Sequence, residues 1–155
     1  MRNIAHSWIN NPNVVGLLLM IEGIFFWIVP ILLSNFYLNY GMPLLKNIFN
    51  VSVVLVAIGM LIGFYLSKIL LSKNIKKYVI FEKKNLEKFF KIFLFSFPLV
   101  ILLSAILIKY LIIYPLTSQQ LECLFIILIL SYAGGFVFAF GVNILKNWNQ
   151  SHGIK

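Results

Sequence analysis

Apolar residues fall in four long runs separated by short polar or turn-forming stretches. The first, VVGLLLMIEGIFFWIVPILLSNFY over 14–37, gives roughly 36 Å of helix at 1.5 Å per residue, enough to cross a ~30 Å hydrocarbon layer with some tilt. Asn11-Pro12-Asn13 just ahead offers capping side chains and a proline suited to a first helical turn. Gly41-Met42-Pro43 then breaks the chain, and a second run follows over 48–71. A polar segment, 72–88, precedes a third run over 89–114. The turn PLTSQQ leads into the fourth, over 121–145. The pattern predicts an all-α polytopic membrane protein, a bundle of four transmembrane helices forming a single membrane domain over 1–155. Pro30 and Pro98 fall inside the first and third spans, where each removes a backbone donor and favours a kink.

Composition excludes a water-soluble alternative. Of the 155 residues, 61% are hydrophobic and 11% charged, against roughly 25% charged in a soluble domain, and the mean hydropathy is +0.97. Too little polar surface exists to cover a soluble fold. The net charge of +9 could suit nucleic acid, but the lysines cluster beside apolar runs and not along an aromatic-interleaved soluble face, so no nucleic-acid partner is expected. The first run is too long for the core of a cleavable signal and lacks an A-x-A-like site, so it is expected to be a retained helix.

The charges also orient the bundle. Arg2, eight lysines from Lys68 to Lys91, Lys146 and Lys155 fall on one side of the expected spans, and only Lys46 and Lys109 on the other. This positive-inside bias places both termini and the central loop in the cytoplasm of a cell whose inner or plasma membrane holds the chain. Tyr37, Tyr40, Tyr110 and Tyr114 would then line the outer interface, with Trp8 and Trp148 at the inner one. Lys73, Lys76, Lys77, Lys83 and Lys84 are candidates for contact with an anionic inner leaflet, where each adds ~1 kcal/mol near the surface. Interleaved Tyr78, Ile80, Phe81, Leu86 and Phe89 suggest an amphipathic helix lying there, with Glu87 and Lys91 paired at i,i+4.

Few polar residues fall within the spans. Glu22, about eight residues into the first, is costly as a carboxylate and is expected to face the bundle interior beside a stripe of Gly16, Gly23 and Pro30. It is a candidate for proton or ion coupling, or a hydrogen-bonded packing residue. Lys109 and Glu122 lie at similar depth near the outer side and form a candidate ion pair. Gly59 and Gly63 make a GxxxG, and Ser131, Gly135 and Ala139 repeat every four residues in the fourth span, two faces that permit close helix packing. Ser96 and Ser104 share one face of the third span and could bond across the bundle.

The inventory for catalysis is thin. There is no Asp, which argues against a membrane aspartyl dyad, and His6 and His152 lie in the flanking tails. Cys123 is the only cysteine, so an intramolecular disulfide or cysteine-based metal cluster is excluded. No phosphate loop, GxSxG or HExxH appears. No cofactor or metal is expected, and the chain is read as a non-enzyme acting through helix packing. It would serve as an accessory subunit of a membrane complex, or bind a membrane-inserted partner as an immunity-type protein. Small, lysine-rich, Ile- and Phe-rich immunity proteins against pore-forming bacteriocins are similar in character. The alternative is a small proton- or ion-coupled transporter, expected as a homodimer, using Glu22. Small multidrug exporters are similar in having four helices with an acid in the first, but they are shorter and lack the lysine-rich loop.

Overall fold

The computed structural model describes residues 11–76, 79–81, 85–111 and 116–152. Four helices account for most of them: α1 (Pro12–Leu38), α2 (Met42–Leu70), α3 (Leu86–Leu111) and α4 (Ser118–Ser151). Between α2 and α3 lies a two-stranded antiparallel ribbon of β1 (Leu71–Lys76) and β2 (Val79–Phe81), with Leu71 opposite Phe81 and Lys76 opposite Val79. The fold is therefore helical with one short strand pair, and the amphipathic helix expected over this segment is corrected to a ribbon followed by the start of α3. The β-branched and aromatic run Val79-Ile80-Phe81 favours extended backbone. The expected pair survives in the first turns of α3, with Lys91 Nζ 2.6 Å from Glu87 Oε1. Both side chains are largely exposed, so the pair contributes little stability.

Local sequence explains the helix ends. Asn11 caps α1, its side-chain oxygen accepting from the Asn13 N–H at 3.1 Å, with Pro12 in the first turn. Asn39 ends α1 in the left-handed region, φ 47°, which asparagine tolerates better than most residues. Gly41, φ 76°, precedes α2, and Pro43 occupies the first turn. A proline there fits the helix because its missing N–H is one the helix would leave unpaired anyway. Hence α2 begins at Met42, six residues before the expected start. Thr117 and Gln120 form a reciprocal capping box at the start of α4, the Gln120 N–H donating to Thr117 Oγ1 at 3.3 Å and the Thr117 N–H to Gln120 Oε1 at 3.0 Å. Helices α1 and α3 continue through Pro30 and Pro98 without interruption.

Helix α4 is the axis of the bundle. It packs along both α1 and α2, while α1 touches α2 at few points and α3 rests more lightly on α2 and α4. Half of the most apolar stretch of α4 is buried, against 17% of that in α1. Ile31, Leu44, Ile48, Leu124 and Ile127 cluster at one end, and Leu66, Leu70 and Phe140 toward the other. Between them, Leu55, Leu128 and Tyr132 pack with Val100 of α3. Leu71 of β1 packs against Ile144, tying the ribbon to the far end of α4.

Three helices, α1, α2 and α4, are long and apolar enough to cross a membrane, and α3 carries a shorter apolar stretch, Leu94–Lys109. Their outer faces are built of large apolar side chains, including Phe25 and Phe36 on α1, Leu61 on α2 and Phe95 on α3. Surfaces of this kind suit lipid and not water.

Candidate functional site

Glycine lets the two heaviest contacts of the bundle form. Gly59 of α2 lies against the Tyr132 carbonyl of α4, and Gly135 of α4 against the Val56 carbonyl of α2. A side-chain carbon at Gly63 would come within 2.7 Å of the Phe136 carbonyl and 2.9 Å of Ala139 Cβ. Ser131, Gly135 and Ala139 are all buried. The GxxxG of α2 and the small stripe of α4 thus meet each other inside one chain. Ser131 donates back to the Ile127 carbonyl at 2.7 Å, satisfying itself within α4 and not across the interface.

The opposite side of α4 repeats the device against α1. A carbon added at Gly23 would stand 2.6 Å from the Gly134 carbonyl, and one at Gly134 2.5 Å from the Gly23 carbonyl. Seven residues along each helix, Gly16 and Gly141 face each other in the same way. Because Gly134 and Gly135 are consecutive, they point about 100° apart and serve the two neighbours separately. Increasing numbers in α1 meet decreasing numbers in α4, whereas α2 and α4 increase together. Helix α1 is therefore antiparallel to α4, and α2 is parallel to it.

Buried polar groups reinforce these contacts. Asn143 Nδ2 donates to Ser67 Oγ and, at 3.3 Å, to the Phe64 carbonyl, joining α4 to α2. Trp27 Nε1 of α1 donates to Ser52 Oγ of α2 at 2.9 Å, and its ring stacks on Phe49. Tyr132 donates to Ser96 Oγ of α3 at 3.2 Å. Ser104 is fully buried and its hydroxyl has no partner among the described residues, so of the two serines expected to bond across the bundle only Ser96 is seen to do so there. In the turn after α1, Tyr40 donates to the Gln120 carbonyl at 3.3 Å, and Gln120 Nε2 donates to the Leu38 carbonyl at 3.3 Å. Burial pushes the Tyr40 phenol up to about 12, Cys123 adds to the rise, and a hydrogen bond with Ser34 opposes it. Asn143, Trp27, Tyr40 and Gln120 carry no signal of this role in the sequence, because each is an isolated polar residue whose partner lies on another element.

Glu22 does not face the interior. It is exposed, while its neighbour Gly23 is buried, and among the described residues no hydrogen bond or ion pair reaches it. The expectation of an inward carboxyl is corrected by the helical geometry: adjoining residues point about 100° apart, so a neighbour of a packed glycine is turned away from the contact. Leu18 and Phe25 share its outer face, 56% and 59% exposed. Lys109 and Glu122 are likewise exposed, and the expected ion pair between them is not formed among the described residues. Of the five loop lysines, Lys73 and Lys76 lie on β1, whereas Lys77, Lys83 and Lys84 lie outside the described residues.

Beside the Tyr40 turn, Pro30, Leu33, Ser34, Tyr37, Cys123 and Ile126 line a cleft of about 380 Å³ between α1 and α4. Its walls are almost wholly apolar, so it suits a hydrocarbon chain better than a polar substrate. Among the described residues, no group of three or more His, Cys, Asp or Glu is placed to hold a metal. No family model matches the chain, and neither a curated protein nor a solved structure shows significant similarity to it.

Proposed function

We propose that the chain is a four-span protein of the cell inner or plasma membrane that acts through helix packing and not through chemistry. Its termini and ribbon are cytoplasmic. Two features support the fourth span. Helices α2 and α4 run in the same direction, so the chain must cross back between them, and α3 has 26 residues with which to do so. The charge asymmetry of the sequence supports this orientation, which puts the lysine-rich segment on the side of the anionic inner leaflet.

The observation that carries the functional reading is where the small and polar residues have gone. Both glycine faces of α4, the Asn143 node and the Trp27 bond are used inside the bundle, so the two small stripes are closed to an outside partner. What faces outward along α1 is broad apolar surface interrupted by the Glu22 carboxylate, and α3 is held lightly enough to present Leu94, Phe95 and Leu102. Such faces suit recognition of another membrane-inserted protein, whether as accessory subunit or as immunity-type binder. The competing reading, a proton- or ion-coupled transporter, needs a second copy to enclose Glu22, since on one copy the carboxylate faces outward.

Two measurements separate these readings. Photo-crosslinking groups at Phe95 and Leu102, introduced in growing cells, are expected to give a discrete adduct with a different membrane protein. Proteoliposomes under a pH gradient are expected to show no more proton flux than empty ones. Flux that Glu22→Gln abolishes would establish the transporter instead, and absence of any adduct at both positions would contradict the packing reading.

A further inference from the structure

We infer that the outer face of α1 at Glu22 receives the outer face of α2 from a second copy of this chain, with Tyr65 and Lys68 as the donors that reach the carboxylate. A carboxylate within an apolar span is stabilised by a donor, and its own chain supplies none among the described residues. The depth of each group follows from the α4 contacts. Gly23 lies level with Gly134 to Phe138, so Glu22 sits near the level of Phe138. Gly63 lies level with Phe136 to Ala139, and Ser67 with Asn143. Tyr65 is therefore within about one turn of the depth of Glu22, and Lys68 within about two.

Side-chain direction closes that interval. Helical side chains lean toward the N-terminus of their own helix. Glu22 leans one way along α1, and Tyr65 and Lys68 lean the opposite way along antiparallel α2, so the groups approach each other in depth. Tyr65 and Lys68 are three residues apart and both exposed, with no bond to either among the described residues. Leu61 completes their stripe, 70% exposed, and at the matching depths α1 presents Leu18 and Phe25. The pairing keeps both copies in the same membrane orientation, because α1 and α2 are already antiparallel within one chain. Lys46 and Lys109 lie at the opposite end of the bundle, and neither matches the depth of Glu22.

The contact joins different faces of the two copies, so it is heterologous, and assemblies of two or more are expected. The test uses the full chain reconstituted in lipid bilayers, with association read by energy transfer between labelled copies diluted in lipid. Glu22→Lys or Lys68→Glu alone is expected to weaken association at least tenfold, and the double reversal to restore it. In a Cys123→Ser background, Phe25→Cys and Leu61→Cys copies, whose positions lie at nearly the same depth against α4, are expected to form a disulfide-linked dimer when mixed, and neither alone. Both charged residues are exposed, so the reversals should leave helicity and monodispersity in detergent unchanged, which circular dichroism and gel filtration check. A monomer at every lipid dilution, association indifferent to Glu22→Lys, or no disulfide on mixing would each overturn the inference.

Discussion

At Gly59 and Gly135 a methyl group would occupy space already filled by the facing backbone carbonyl. Neither carbonyl can swing aside without breaking its own helix. Gly135→Ala is therefore expected to destabilise the purified protein by about 3 kcal/mol or more, at the upper end of overpacking costs, whereas Leu61→Ala on the outer face of α2 should change it by roughly 0.5 kcal/mol or less. Unfolding of the two variants in mixed detergent compares them directly. Asn143→Ala removes the bonds to Ser67 and Phe64, and a loss of about 1 kcal/mol is expected in the same assay. For Tyr40 the folded phenol titrates near 12 against 10.0 for an unperturbed one. The folded state thus favours the protonated form, and that contribution is complete below pH 10 and lost as pH rises toward 12. Wild-type protein should lose more thermal stability than Tyr40→Phe between pH 10 and 12. Sequence periodicity reveals which residues share a face, and so it found Gly59, Gly63, Ser131, Gly135 and Ala139. It could not say which face meets which, and it misjudged Glu22 by attaching it to the glycine beside it.

The elements differ in how firmly they are held. Helix α4 is packed on two glycine faces and capped by Thr117 and Gln120, while α3 makes lighter contact with its neighbours. Local opening follows the density of buried contact, so backbone amides of α3 should exchange with deuterium faster than those of α4 in the middle of each helix, as mass spectrometry of the protein in nanodiscs would show. Equal protection would contradict the arrangement. The apolar runs made the four helices legible, since length and hydropathy suffice for that. Two features escaped. The start of α2 was hidden because Gly41-Met42-Pro43 reads as a break, although proline is at home in a first turn. The ribbon was hidden because lysines alternating with apolar residues suit a surface helix and a strand alike.

For the whole molecule, directions and charge lead to one arrangement. Helices α2 and α4 run parallel and α1 runs against α4, and the charge asymmetry of the sequence supports the proposed orientation with termini and ribbon on one side. If the lysines between the second and third apolar runs set that orientation, replacing Lys73, Lys76, Lys77, Lys83 and Lys84 together with glutamine should reduce insertion in the wild-type orientation. The central claim, that four spans fold around α4 with both ends in the cytoplasm, is tested most directly by joining reporters active on only one side of the membrane to four places. These are the C-terminus, the ribbon between β1 and β2, the turn at Tyr40 and the turn at Thr117. The arrangement predicts cytoplasmic activity at the first two and external activity at the last two. A C-terminus and a ribbon found on opposite sides would mean that α3 does not cross, and would contradict it.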